Sequence, residues 1–219
     1  MTKDKSITEY YRARAGEYEQ IYYRKVPERR QEIKDHCSYL EKIAKNKAVL
    51  DLACGTGYWT KISGNTAKEV VASDIVIEMI NQAKLKECVS PVDFVISDLH
   101  QPPFAPKSFD LITLGFWLSH EPKQNYDQLF DSISSPLRED GLIWMIDNNP
   151  PAEGPRSDSV GSDEHGNNLK TRRLEYGNEF VIIKNYFSQE QLTQILSQKF
   201  VIRDLIHQPY YWSALVEPR

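Results

Sequence analysis

Cysteine is scarce in this 219-residue chain: Cys37, Cys54 and Cys88 are an odd number without metal-ligand spacing. That argues against a disulfide framework and a thiolate metal centre, and it fits buried thiols in a reducing cytoplasm. Net charge is also low, at −4, and leaves no electrostatic footprint for nucleic acid. The basic residues that do cluster, Arg24, Lys25, Arg29, Arg30 and Lys34, alternate with Glu28, Glu32 and Asp35 and read as a solvated helix face. No run approaches the roughly 20 apolar residues of a membrane span. The opening Met-Thr-Lys-Asp-Lys-Ser has no apolar stretch behind it that would make a signal peptide. These absences predict a soluble cytoplasmic protein, monomer or homodimer, with neither membrane nor nucleic acid as partner.

What is present is enough apolar sequence, 40% of residues, for one α/β core. Ser6-Ile7-Thr8-Glu9 is a capping box that predicts a helix through about Tyr23. Pro27 suits the first turn of a second helix, in which Ile33, Cys37, Leu40 and Ala44 recur at helical spacing. Apolar β-like runs at 48–54, 69–74, 92–97, 109–115 and 141–147 then alternate with helical patterns at 76–87 and 123–137, the rhythm of a parallel sheet. Residues 148–168 read as a loop, 170–176 and 179–186 as a hairpin about Gly177-Asn178, and Ser188 as the cap of a further helix. Two strands, 200–207 and 210–216, follow. One domain over 1–219 is expected, with a helical lid at 1–46, a ligand-binding core at 47–147, an insertion at 148–187 and a final helix and strands at 188–219.

Within this pattern the stretch from Val49 to Thr60 runs an apolar strand into Gly55-Thr56-Gly57 and then a helical segment. Glycines at 55 and 57 permit a sharp bend and leave N–H groups at a helix start for a ligand to approach. Val70-Val71-Ala72-Ser73-Asp74 ends a second buried strand in a carboxylate, the place where doubly wound sheets grip a ribose diol. A nicotinamide or flavin dinucleotide would ask for a third small residue where Thr60 stands, beside Trp59, and would not welcome Asp51 near its diphosphate.

Asp51-Leu52-Ala53-Cys54-Gly55-Thr56-Gly57 resembles the first signature motif of class I S-adenosylmethionine-dependent methyltransferases, an acid and three residues before Gly-x-Gly. Asp98 in Phe94–Asp98 stands where that family carries an acid or polar residue near the adenine amine, and 103–112 resembles the family's link into the fourth strand. The resemblance spans roughly residues 8–147. It implies a Rossmann-like doubly wound seven-stranded sheet, mostly parallel with an antiparallel C-terminal strand, and a hairpin over the substrate side. It further implies S-adenosylmethionine as methyl donor, S-adenosylhomocysteine as product, no metal, and a small-molecule acceptor. On this resemblance the donor site combines Asp51, Ala53, Gly55, Gly57 and Trp59 with Asp74, Ile75 and Met79, then Ser97, Asp98 and Leu99, then Gly115 and Phe116. Tyr11, Arg14 and Tyr18 are similar to the family's closing arm over the donor, although an aromatic stripe also docks helices on sheets.

The segment 115–122 follows the fourth strand at the sheet's carboxyl edge. Phe116 and Trp117 there would wall the methyl site. His120 is the best base candidate, with an ordinary pKa near 6.5, unless it merely caps the next helix. Arg172, Arg173 and Tyr176, with His165, crowd the insertion, where arginines suit a carboxylate or phosphate or simply keep an edge soluble. Asn148-Asn149-Pro150-Pro151 follows the fifth strand rather than the fourth, so it is not the tetrapeptide of amino-methylating nucleic-acid enzymes. Two alternatives stay open at this point: a donor-binding protein without activity, and an NAD(P)-dependent oxidoreductase.

Overall fold

The computed structural model describes residues 3–23, 26–150, 158–174 and 177–219, with side chains from Ile7 onward. Apolar runs and turn residues give seven strands in one sheet: β1 (Ala48–Leu52), β2 (Glu69–Asp74), β3 (Val92–Ile96), β4 (Phe109–Gly115), β5 (Leu137–Asn148), β9 (Phe200–His207) and β10 (Tyr211–Pro218). Their order is β3-β2-β1-β4-β5-β10-β9. The first five pair in parallel, and β10 runs antiparallel to both β5 and β9. The chain reverses its direction of winding between β1 and β4, which opens a crevice at their carboxyl ends.

Two-residue periodicity divides the core between the two faces of this sheet. Leu50, Ile112, Met145 and Trp212 point to one side, under α5 (Tyr126–Ser134) and α6 (Gln189–Leu196). Val49, Leu111, Trp144 and Tyr211 point to the other, under α2 (Pro27–Ala44) and α3 (Tyr58–Ser63). β1 is buried along its whole length, as a central strand covered on both faces must be. The Ser188 cap is present: its Oγ accepts from the Gln191 N–H, and Gln191 Oε1 accepts in return from the Ser188 N–H. The remaining helices are α1 (Lys3–Arg14) and α4 (Ile77–Ala83).

Several expectations are corrected. The first helix ends at Arg14 and gives way to a 3-10 turn at Tyr18–Ile21, because Gly16 is a poor helix residue. The buried face of α2 includes Glu32 and His36, whereas Cys37 is only half-buried. β5 begins at Leu137 and not at 141, and the helix before it is shorter than 123–137. The segment read as a loop contains β6 (Ser159–Ser162), so the insertion is a three-stranded antiparallel sheet, β6-β7-β8, with β7 at Asn168–Arg173 and β8 at Glu179–Ile183. Leu174, beside Tyr10 and Ile182, helps seat this sheet against α1, and Tyr10 meets Phe180 edge-on at 5.6 Å. Among the described residues no helix is long and apolar enough to cross a membrane.

Candidate active site

Asp51 sits on the buried β1, and both its oxygens are occupied: Oδ2 accepts from Thr60 Oγ1 and Oδ1 from Thr113 Oγ1 at 2.7 Å. Burial pushes its carboxyl up to about 6. It ties β1, α3 and β4 together and lines none of the three cavities described below. The chain then turns through positive φ at Ala53 (50°), Gly55 (55°) and Gly57 (77°). Trp59 also lines none of these cavities. Its indole lies in the core against Trp144 and beneath Gly115, where a Cβ would fall 2.3 Å from Trp59 Cδ1.

The two glycines of the turn do different work. Gly55 faces open space, with Tyr18 the nearest neighbour to an added Cβ at 3.8 Å, and its N–H donates to Asp74 Oδ2 at 2.9 Å. Gly57 faces α4, where a Cβ would lie 2.8 Å from Ala83 Cβ, so close packing leaves no room for a side chain there. Gly57→Ala, combining left-handed backbone strain with a clash, is expected to lower stability by about 2–4 kcal/mol. An unchanged urea midpoint would contradict this.

Asp74 closes β2 at the crevice, 9% exposed. Its Oδ1 accepts from the Val76 N–H at 2.8 Å, and burial raises its pKa against the pull of these backbone N–H groups. From here a cavity of about 370 Å³ runs past Ser97, Asp98 and Leu99 to Trp117 and His120. A narrow continuation of about 40 Å³ is walled by Tyr11, Tyr18, Gly55, Met79, Gly115 and Phe116. Ala53, Asp74, Ile75 and Trp117 line both. Beyond Tyr11, Tyr18 and Phe116 lies a third chamber of about 490 Å³, reached by Arg14, His120, Arg172 and Arg173. The fold thus gathers most predicted site residues around three adjoining cavities that share wall residues. Trp117 lies on its first two parts, away from the third. Tyr176 lies outside the described residues, and His165 lines none of the three cavities.

The environment of His120 departs most from expectation. Its Nδ1 is 2.7 Å from the Ile183 carbonyl, so Nδ1 carries the proton in the neutral ring. Burial, then the nearby Lys184, depress its pKa to about 3, far from the ordinary value near 6.5. Lys184 itself is buried between Ser119 Oγ (2.6 Å) and Asp147 Oδ1 (2.9 Å).

The sequence reading missed several residues that the fold adds. Tyr10, adjacent to the expected stripe, accepts a hydrogen bond from Arg14, whose guanidinium also lies 5.3 Å from the Tyr18 ring. Lys170 and Lys184 enter from the insertion and Arg29 from α2. His100 is held between Asp98 and Glu121, 3.0 Å from each, and its pKa is raised to about 9, mainly by the Glu121 hydrogen bond. The neighbouring Asp98 and the Trp117–Glu121 segment were legible, but not their convergence on His100.

A methyltransferase-domain family model matches residues 49–141. The demethylmenaquinone methyltransferase of Staphylococcus aureus (strain MRSA252) is 31% identical over 114 residues, 50% of this chain and 46% of that protein. The chain spans about half the length of the curated relatives it matches. Among solved structures, DhpI in complex with SAH superposes with a TM-score of 0.77 at 27% identity, covering 98% of this chain and 96% of that one. The 1,6-didemethyltoxoflavin-N1-methyltransferase of Burkholderia thailandensis, with 1,6-didemethyltoxoflavin and S-adenosylhomocysteine bound, shares the fold at a TM-score of 0.67 and 15% identity, covering 98% and 88%. Residues 49–141 thus resemble a methyltransferase domain, and the strand order, the glycine turn and the carboxylate at the tip of β2 belong to a Rossmann-like fold that the chain shares with S-adenosylmethionine-dependent methyltransferases of known structure.

Proposed function

We propose that the chain transfers a methyl group from S-adenosylmethionine to a small-molecule acceptor bound in the third chamber. The observation that carries this reading is that two cavities adjoin at one aromatic wall: the seat at Gly55 and Asp74 and a larger separate chamber are both bordered by Tyr11, Tyr18 and Phe116. A donor-binding protein without activity would need no such second room. The donor supplies a sulfonium methyl that a nucleophile displaces in line. The residues present fit it, because Gly55 leaves main chain open to approach and the neck of Tyr11, Tyr18 and Phe116 offers aromatic faces to a cation.

In this reading Asp74 takes the ribose hydroxyls with the lone pairs left over from Gly55 and Val76. Ser97, Asp98 and Leu99 border the adenine, with Ile75 and Met79 as apolar walls. The Gly115 carbonyl and Phe116 face the methionine amino group, and Arg14 its carboxylate. Tyr11 on α1 covers the seat and excludes water, so catalysis comes from proximity and alignment. His120 acts as a neutral wall between seat and chamber, oriented by Ile183, rather than as a base with a pKa near neutrality. The three cysteines, all free, suit the cytoplasm.

Asp74→Ala tests the donor seat. Charge-assisted hydrogen bonds contribute about 1.5–3 kcal/mol each, so calorimetry should show S-adenosylhomocysteine binding weakened by about 10- to 150-fold. Loss of the Gly55 contact adds to the effect. Unchanged affinity in a folded variant would overturn the assignment.

A further inference from the structure

The acceptor chamber carries more positive than negative charge. Lys170 and Arg172 are two residues apart on β7 and so share one face of the strand. Lys170 and Lys184 are each 5% exposed, an expensive position for an ammonium group without a partner. Lys184 has Asp147. Among the described residues, Lys170 and Arg172 have only one carboxylate between them, Asp158, which lies 3.4 Å from Lys170. Arg29, on the same chamber wall, donates to Tyr211 Oη at 2.6 Å and to Asn148 Oδ1 at 2.8 Å, and its charge also acts on the buried Glu32 carboxylate one turn along α2. Glu17 is the chamber's one acid wall residue among the described residues. Even with Arg14 left to the donor's carboxylate, and with Glu32 behind the wall partly offsetting Arg29, the chamber wall sets Arg29 and one member of the Lys170–Arg172 pair against Glu17.

We infer that the acceptor arrives as an oxyanion, a carboxylate or phosphoryl oxygen held by Arg29, Lys170 and Arg172, and is methylated on that oxygen to give an ester. The inference rests on the methyl-transfer reading above. A lone pair of the acceptor oxygen forms the new O–C bond while the sulfonium C–S bond breaks, and the breaking bond's electron pair stays on sulfur. No proton leaves the reacting oxygen, so the step requires no base. This agrees with a His120 whose ring proton is committed to the Ile183 carbonyl. The reacting anion and sulfonium neutralise one another as the new bond forms. The ester carries one negative charge fewer than the acceptor, so the same cations hold the product less firmly and release it.

The test is calorimetric titration of the protein saturated with S-adenosylhomocysteine, using benzoate, phenyl phosphate and inorganic phosphate as probes and benzyl alcohol and aniline as neutral controls. At least one anion should bind and the neutral compounds should not. Benzoate and the two phosphates separate the carboxylate from the phosphoryl source. Arg172→Gln and Arg29→Gln should each weaken that anion at least tenfold, with S-adenosylhomocysteine affinity and melting temperature unchanged. Lys170→Met should do the same if one arginine variant proves unstable. Binding of S-adenosylhomocysteine without any anion, equal binding of the neutral compounds, or anion binding indifferent to these substitutions would overturn the inference. Failure to bind S-adenosylhomocysteine at all would instead overturn the methyl-transfer reading.

Discussion

Replacing Lys184 by alanine is expected to cost about 3–5 kcal/mol of folding stability, the usual penalty for stranding one member of a buried ion pair. Asp147 is fully buried at the carboxyl end of β5. Its Oδ2 accepts from the Ser119 N–H and its Oδ1 from the Asn148 N–H and Lys184. Burial pushes the Asp147 carboxyl up, but Lys184 and its other partners outweigh that and hold it below the usual range. Without Lys184 the carboxylate would either stay charged and unpaired or take up a proton. Urea denaturation measures the loss. The double variant Lys184→Met, Asp147→Asn should recover much of it, since removing both charges avoids the stranded one. A single variant within 1 kcal/mol of wild type would show that the pair is better solvated than its burial indicates.

The second large effect concerns acid. His36 on α2 is 1% exposed, its ring edge-on to Tyr211, and neither ring nitrogen has a hydrogen-bond partner among the described residues. Burial lowers its pKa to about 4 from an ordinary 6.5. The folded state therefore resists a proton that the unfolded chain accepts. Its contribution is present in full above pH 6.5 and is lost as pH falls toward 4, to a total of about 3 kcal/mol. Asp51, with its pKa raised to about 6, acts in the opposite sense over part of that range, so the raw pH profile mixes the two. His36→Leu isolates the histidine: the slope of stability against pH between 6.5 and 4 should fall by up to one proton relative to wild type. Parallel profiles for the two proteins would refute the buried neutral imidazole.

Local sequence carried the fold a long way because parallel strands covered on both faces are continuous apolar runs, and β1, β2 and β4 could be placed from them. The donor side was legible for a related reason: Gly55, Asp74 and Asp98 lie within a few residues of strand ends whose positions the runs had fixed. That Trp59 and Asp51 point into the core was not legible, because distance along the chain from a glycine turn does not tell which face of β1 or α3 a side chain takes. The acceptor chamber was hardest to see. Arg29 comes from α2, Lys170 and Arg172 from β7 and Lys184 from just beyond β8, and only tertiary packing brings them together. The pKa of His120 was invisible for the same reason, since Lys184, the charge that helps set it, is distant in sequence.

The placement of β10 between β5 and β9 bears on how the polypeptide is made. Synthesis is vectorial, so β5 leaves the ribosome with one edge open, and that edge waits through the three-stranded insertion, α6 and β9 before Tyr211–Pro218 can fill it. During that interval Trp144, Met145 and Ile146 lie on a strand whose unsatisfied backbone groups could recruit another nascent chain. The order of the strands thus makes the last-formed pairing the one that buries the most exposed hazard, and it places the period of greatest need for chaperone protection between the emergence of residue 148 and that of residue 211.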